Sequence, residues 1–416
     1  VSGYTAPPSD ERLSTLRKLG DLDAKSITLV STEFEGEQRA LDEPSQRRLG
    51  KSLVDLAVGY YKDESRRNKK SKKGSAQLLA RHHFKRAYYS EFRRDAASAA
   101  KHYAACYTYL RELLRAVVER DVERSQVPLY EVKRVADFVN LKICRAALGV
   151  PARQNEAFDF FRRHVRLFKA LVLPPMPTRE GEGAAAALAS HVHCGWLAKQ
   201  YRAFAKILEA LGALPAGSDG VRSSYAEPGY YYQAAATCML ERRQNAEKVL
   251  AAGGKEALAL MTIEKRPWKK VASELGVSAE VNASADSAAV IELLTRAYEH
   301  VKPTKRSRAI FFLAWQMAQE HLHSENYEMA KRFYERICKQ YQKERWWFAL
   351  AQIMRSLREC ALQLRLLPDF VDTSISLLSS KLSTPTEAES ILLELLSLVR
   401  RAAPLPLPFP PLSSHM

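Results

Sequence analysis

Apolar positions recur at three- and four-residue intervals through most of this chain, which is the spacing of helices packed on one face. From position 78 onward it predicts helices over 78–90, 95–120, 128–148, 155–173, 184–211 and 229–250. It resumes over 287–300, 307–323, 327–341, 346–366, 370–378 and 386–402. Most of these are separated by short turns with Gly or Pro. The stretch 251–284 is irregular, with Gly253-Gly254 and Arg266-Pro267-Trp268, and predicts a long loop. The alternation from Pro404 through Leu405, Leu407 and Phe409 to Pro411 predicts an extended Pro-rich tail. The first sixty residues differ. Helical spacing over 9–19 places Leu13, Leu16 and Leu19 on one face, β-branched Ser26-Ile27-Thr28-Leu29-Val30-Ser31 predicts a strand, and 44–62 returns to helix. A lone strand cannot satisfy its backbone groups, so this segment predicts the end of an α/β domain.

The predicted fold is therefore all-α: an α-solenoid of tetratricopeptide-like helical hairpins, preceded by a short helix-strand-helix remnant of an α/β domain. The expected domains are 1–65, a basic linker over 66–77, a helical-repeat region over 78–402 with an insert at 251–284, and a tail over 403–416. The hairpin spacing supports the repeat, because small residues must meet where two helices cross. Ala318 is followed twelve residues later by Ala330, then Tyr334 and Ile337. Ala87 and Ala99 are also twelve apart, followed by Tyr103 and Cys106 at the same offsets, with Leu110 continuing the stripe. Cys144, Ala157 and Phe161 form a looser copy. Ala314 and Gln342 stand where a tetratricopeptide repeat often has Trp and Pro.

Composition agrees with a folded helical body. The 416 residues are 46% hydrophobic with only 17 glycines, too apolar for disorder and sparing of tight turns. No apolar run reaches the roughly 18 residues of a membrane span. The opening Val1-Ser2-Gly3-Tyr4 predicts no secretory leader and a piece of a longer chain. Six cysteines, Cys106, Cys144, Cys194, Cys238, Cys338 and Cys360, lack paired metal-site spacing and predict buried, reduced thiols of a cytoplasmic protein. The net charge of +17 is uneven, since 61–101 alone holds thirteen Lys and Arg against four Asp and Glu. Its densest part carries Arg66, Arg67, Lys69, Lys70, Lys72 and Lys73. A solvated linker, an electrostatic contact with acidic protein or anionic lipid, and nucleic-acid binding all fit such a run. No RNA-binding aromatic signature, zinc finger or recognition helix accompanies it, so nucleic acid is not an expected partner.

Chemistry is sparse. His82-His83 and His191-Val192-His193-Cys194 put neighbours on different sides of a helix, unlike the i, i+4 pair of a helical zinc site. There is no phosphate-cradling glycine loop, nucleophile elbow, or cysteine with a base beside it. The sequence thus predicts no enzyme, no cofactor, no metal and no catalytic residue. Aromatic runs are the other unusual feature: Tyr88-Tyr89, Tyr230-Tyr231-Tyr232 and Trp346-Trp347-Phe348. Consecutive bulky residues on a helix cover about 200° of its circumference, so each run must serve two faces. Either the second face packs on the next repeat or it forms a partner groove. Tyr230, Tyr231, Tyr232, Trp346 and Trp347 are the candidate partner-binding residues, and Arg66, Arg67, Lys69, Lys70, Lys72 and Lys73 the candidate electrostatic contact.

The segments from Leu79 to Glu91 (LARHHFKRAYYSE), from Asn140 to Arg145 (NLKICR), from Pro228 to Ala235 (PGYYYQAA) and Trp346-Trp347 resemble, in that order, the foie gras segment of subunit eleven of the trafficking protein particle (TRAPP) complex. The likeness covers roughly 78–378. It implies a non-enzymatic scaffold in a vesicle-tethering complex acting between endoplasmic reticulum and Golgi and in autophagy. Implied partners are other TRAPP subunits, with a Rab GTPase reached only through the complex, and the implied place is cytoplasmic and peripheral at the Golgi and the ER-Golgi interface. The basic run 66–73 adds a candidate peripheral membrane contact to these partners. The competing reading is a basic helical adaptor that binds anionic membrane or nucleic acid through 66–73.

Overall fold

A computed structural model describes residues 10–21, 27, 30, 32–35, 38–67, 74–118, 129–172, 182–212, 226–251, 283–379 and 382–402. The chain forms two compact units, 1–164 and 165–416, with the boundary inside a helix. Most of the predicted insert and all of the Pro-rich tail lie outside the described residues.

In the first unit, α1 (Asp10–Gly20) buries Leu13. The strands that follow are not where β-branching predicted one. Ile27 and Val30 lie outside any strand, and the other residues of 26–31 are outside the described set. Instead β1 (Thr32–Glu35) pairs antiparallel with β2 (Gln38–Leu41), in register Thr32↔Leu41 through Glu35↔Gln38. This corrects the expected α/β remnant. The two strands satisfy one another as a local hairpin, so they imply no missing sheet.

Four longer helices follow: α2 (Glu43–Arg67), α3 (Ala76–Phe92), α4 (Ala96–Val118) and α5 (Leu129–Leu148). A 3₁₀ turn (Pro151–Arg153) leads into α6 (Gln154–Val172). The hairpin of α3 and α4 shows how sequence sets the turn. Asp95 N–H donates back to Ser90 O at 3.0 Å, closing α3 with Arg94 in the left-handed region at φ 56°. The Asp95 carboxylate then accepts Ser98 N–H at 3.0 Å and opens α4, and that bond holds the carboxyl below its usual range. Ala87, Ala99, Tyr103, Cys106 and Leu110, the residues of the twelve-residue spacing, are all buried. So are Cys144, Ala157 and Phe161, and the Cys144 thiol donates to Ala157 O at 3.5 Å.

The second unit is a succession of helices, α7 (Glu182–Leu211), α8 (Pro228–Ala251), α9 (Ala283–Val301), α10 (Ser307–His323), α11 (Tyr327–Glu344), α12 (Trp347–Gln363), α13 (Leu367–Leu377) and α14 (Pro385–Ala402). Each packs on the next. From α10 to α13 the helix starts fall at 307, 327, 347 and 367, and the turns place Glu325, Arg345 and Arg365 in the left-handed region. Each turn closes alike: Asn326 N–H to His321 O at 2.8 Å, Trp346 to Tyr341 at 3.1 Å, Leu366 to Ala361 at 2.9 Å. A hairpin therefore recurs every 40 residues, against about 34 in a tetratricopeptide repeat. Part of the extra length follows Gln342. With no proline there, α11 runs on to Glu344. Ala318, Ala330, Tyr334 and Ile337 are each fully buried, as the spacing required.

Candidate interaction surface

The Tyr-rich run opens α8, which packs between α7 and α9. Gly229 makes that approach possible: a Cβ there would sit 3.1 Å from Ala297 O and Val301 Cγ2, and 3.2 Å from His300 Cβ. Tyr231 turns into the α7 side, its ring edge-on to Phe204 at 4.7 Å between centroids. Tyr232 lies on the α9 side, stacked on His300 at 5.8 Å, and its hydroxyl donates to Glu209 Oε2 at 2.7 Å. Burial, with Glu209 beside it, pushes the Tyr232 hydroxyl up to about 12, and the same bond holds Glu209 below the usual carboxylate range. Tyr231 and Tyr232 are buried, so of this run only Tyr230 offers a contact surface, at 41% exposure. Of the three candidate tyrosines, Tyr231 and Tyr232 take the packing role and hold α8 in place.

Further along α8, Arg243 makes a two-pronged ion pair with Glu320 of α10, at 2.6 and 3.0 Å, and also reaches Ser287 Oγ of α9 at 3.2 Å. The pair is buried, which fixes the register of three successive helices through charge-assisted hydrogen bonds.

The Trp run lies differently. Trp346 precedes α12 and Trp347 and Phe348 form its first turn. Trp346 stacks on Tyr341 at 5.7 Å and 8°, and the Arg308 guanidinium stands 5.3 Å from its ring centroid. All three residues remain exposed, Phe348 at 83%. Close by in sequence register, Phe312 of α10 is exposed and stacked on Trp315 at 5.9 Å. Arg306, one residue before α10, bonds Glu227 just ahead of α8 at 3.2 Å. Tyr230, Trp346, Trp347 and Phe348 thus stand at the end of the second unit where α8, α10 and α12 begin. Sequence reasoning missed Phe312, Arg306 and Arg308 as members of this edge. The signal was the 40-residue interval between 306 and 346, which puts both turns at the same end of alternating helices.

The basic run is only partly placed. Arg66 and Arg67 end α2 and pair within it, to Asp63 at 3.4 Å and Glu64 at 2.7 Å; Lys69, Lys70, Lys72 and Lys73 lie outside the described residues. In the first unit the Tyr88-Tyr89 run joins an aromatic cluster with Tyr61, whose ring stacks on Phe92 at 4.6 Å. A chain of polar groups that spacing did not reveal links Tyr107 Oη to His164 Nδ1 at 2.8 Å and His164 Nε2 to Asp137 Oδ1 at 3.0 Å. The His164 side chain has no solvent exposure, and the chain ties α4, α5 and α6 together.

Histidines of the two His-rich clusters pack against neighbouring helices and rings. His83 Nδ1 lies 3.2 Å from His102 Nδ1, and burial together with Arg86 pushes His102 down to about 4. His191 bonds Arg242 O at 2.9 Å, and His193 lies against Trp196. Among the described residues no group of three or more His, Cys, Asp or Glu is arranged to hold a metal ion, and no helix is long and apolar enough to cross a membrane. All six cysteines are buried free thiols, and burial raises them: Cys106 and Cys238 to about 12, Cys194 and Cys360 to about 11.

The profile described as Foie gras liver health family 1 matches residues 129–380, more than half of the chain. The chain belongs to that family. The foie gras match takes in α5 to α13, so both the α8 lock and the exposed aromatic edge lie within it. Three curated relatives, the trafficking protein particle complex subunit 11 proteins of Bos taurus, Gallus gallus and Homo sapiens, are each 27% identical over 363 residues. The alignment covers 80% of this chain and 30% of each relative, so the chain spans about a third of their length. A solved structure described as a circular tandem repeat protein with novel repeat topology and enhanced subunit contact surfaces covers 87% of this chain at 14% identity, with a TM-score of 0.23.

Proposed function

We propose that this foie gras chain is a non-enzymatic scaffold segment of a TRAPP-type vesicle-tethering complex. Its work is to bind other subunits through the surface of its stacked helices, in transport between endoplasmic reticulum and Golgi and in autophagy. The observation that carries this reading is the family match over 129–380 together with the likeness to complex subunits in three vertebrates. Stacked helices suit such work because a row of hairpins offers extended surface without needing one large core. The Rab GTPase enters only through the assembled complex, and the expected location is cytoplasmic, peripheral at the Golgi and ER-Golgi interface. The site chemistry is in keeping with this: buried thiols raised in pKa are poor nucleophiles, and the buried ion pair and Tyr-His-Asp chain are spent on packing.

The test is co-purification of the tagged chain with the small core subunits of TRAPP, followed by residue-level crosslinking. The reading predicts that subunits are retained and that crosslinks fall on exposed residues of the helical row. Retention of none, while a longer form of the chain assembles normally, overturns it. Peripheral membrane contact through 66–73 is a separable reading: it predicts binding to anionic vesicles that weakens steeply with salt and disappears when the six Lys and Arg are neutralised.

A further inference from the structure

The edge of the second unit where α8, α10 and α12 begin is basic as well as aromatic. Lys302, Lys305, Arg306, Arg308, Lys343 and Arg345 are all exposed, in the two turns there or in the helix ends beside them. Among the described residues, Arg306 is the one of these six in an ion pair, with Glu227. The local carboxylates are that Glu227, Glu299 and Glu344, the last already accepting Gln340 Nε2 at 2.6 Å. Neither α10 nor α12 has a side-chain cap at its start, so first-turn N–H groups face the same edge. Set among the cations are exposed rings of Phe312, Trp346 and Phe348.

We propose that this edge docks an acidic peptide segment carrying an aromatic or aliphatic anchor. The proposal rests on the scaffold reading above and names the chemistry of one partner. Exposed ion pairs are individually weak and screened, so the cations attract and orient an acidic chain but do not alone select it. Selection needs apolar surface that can be desolvated, and Trp and Arg side by side are the residue types that most often supply it. Phe348 supplies the ring with the most surface still to bury. A bilayer is a poorer occupant. Trp346 is stacked on Tyr341 and lies under Arg308, so its indole is held by the protein and is not free to turn into hydrocarbon.

The test is selection of random 16-residue peptides displayed on phage against the whole chain, then anisotropy titration of the winners. Two variants keep folding separate from binding: Phe348→Ser, and the triple Lys302→Glu, Lys305→Glu, Lys343→Glu. All four positions are exposed, and circular dichroism checks that both variants fold. The expected winners are rich in Asp and Glu with at least one aromatic or Leu, bind tenfold or more weakly to each variant, and lose tenfold when their acids become Gln or Asn. Winners that are not acidic, or that bind both variants as well as the parent, overturn the proposal. So does edge-dependent binding to phosphatidylserine vesicles or to single-stranded RNA in place of peptide. A chain that retains TRAPP subunits but selects no acidic peptide refutes this inference and leaves the scaffold reading intact. A chain that selects such peptides through the edge yet retains no subunit does the reverse.

Discussion

Tyr230-Tyr231-Tyr232 and Trp346-Trp347-Phe348 are the same signal in the sequence, three consecutive rings at the start of a helix, yet they end in opposite environments. On α8 two of the three rings are buried, against α7 on one side and α9 on the other. On α12 all three are exposed. Ring size does not separate them. The preceding residue does: Gly229 lets the backbone of α8 come within contact of Ala297 O, whereas Arg345, ahead of the second run, sits in a left-handed turn closed by the Trp346 N–H bond to Tyr341 O. An aromatic run is read as core or surface from the closeness its neighbours allow, before hydrophobicity is counted.

The largest expected effect tests the buried side. Tyr232→Ala removes a ring with 1% exposure and leaves Glu209 without its hydroxyl donor, so it costs about 3–5 kcal/mol in urea unfolding. A loss below about 1 kcal/mol would show that the α8 start is not locked as described. Next comes Gly229→Ala. Its Cβ meets backbone Ala297 O, which cannot swing away, and the expected loss is about 1–2 kcal/mol. Gly195→Ala is the matched control, since its Cβ meets the flexible Arg242 side chain at 3.2 Å and the cost stays near zero.

A smaller effect follows from Glu209. Its folded pKa is depressed, chiefly by the Tyr232 hydroxyl, then by His300 and Arg296. A depressed carboxyl gives stability that is present above its unfolded pKa of about 4.5 and is lost as pH falls through the lower folded value. Its carboxylate is partly exposed, so the contribution is below about 1 kcal/mol. Tyr232→Phe is expected to flatten the stability profile between pH 5 and 3 (roughly the range over which a carboxylate titrates) while changing little at pH 7 beyond the lost hydrogen bond. An unchanged acid limb would mean that another group carries it.

Much of this architecture is legible in the amino-acid sequence. Apolar spacing sets the helix positions, and the pairs Ala318–Ala330 and Ala87–Ala99 lie in the core because only small residues fit where helices cross. The strand was misplaced for a physical reason: β-branching at Ile27, Thr28 and Val30 is a weak backbone preference, and pairing depends on a partner close in the chain, which Thr32–Glu35 finds in Gln38–Leu41. The interaction edge was half legible. Trp346 and Trp347 stood out as residues, but their cationic neighbours Arg306 and Arg308 lie about forty positions earlier, and only alternation of helix direction brings them together.

The smallest expected effect tests the exposed side. Phe348 is 83% exposed and lies in the first turn of α12, so Phe348→Ala gives up little packing and gains slightly in helix propensity. Its urea midpoint should shift by less than about 0.5 kcal/mol equivalent, in either direction. The contrast with Tyr232→Ala is then at least about sixfold for two rings of similar size near the starts of their helices. A loss of about 2 kcal/mol or more at Phe348 would mean that this ring is already buried in solution, against another copy or against chain beyond α12, and the edge would then be an occupied contact. With stability unchanged, a Phe348 variant that fails to retain a subunit reports on binding alone, which is what a surface aromatic must show to differ from core.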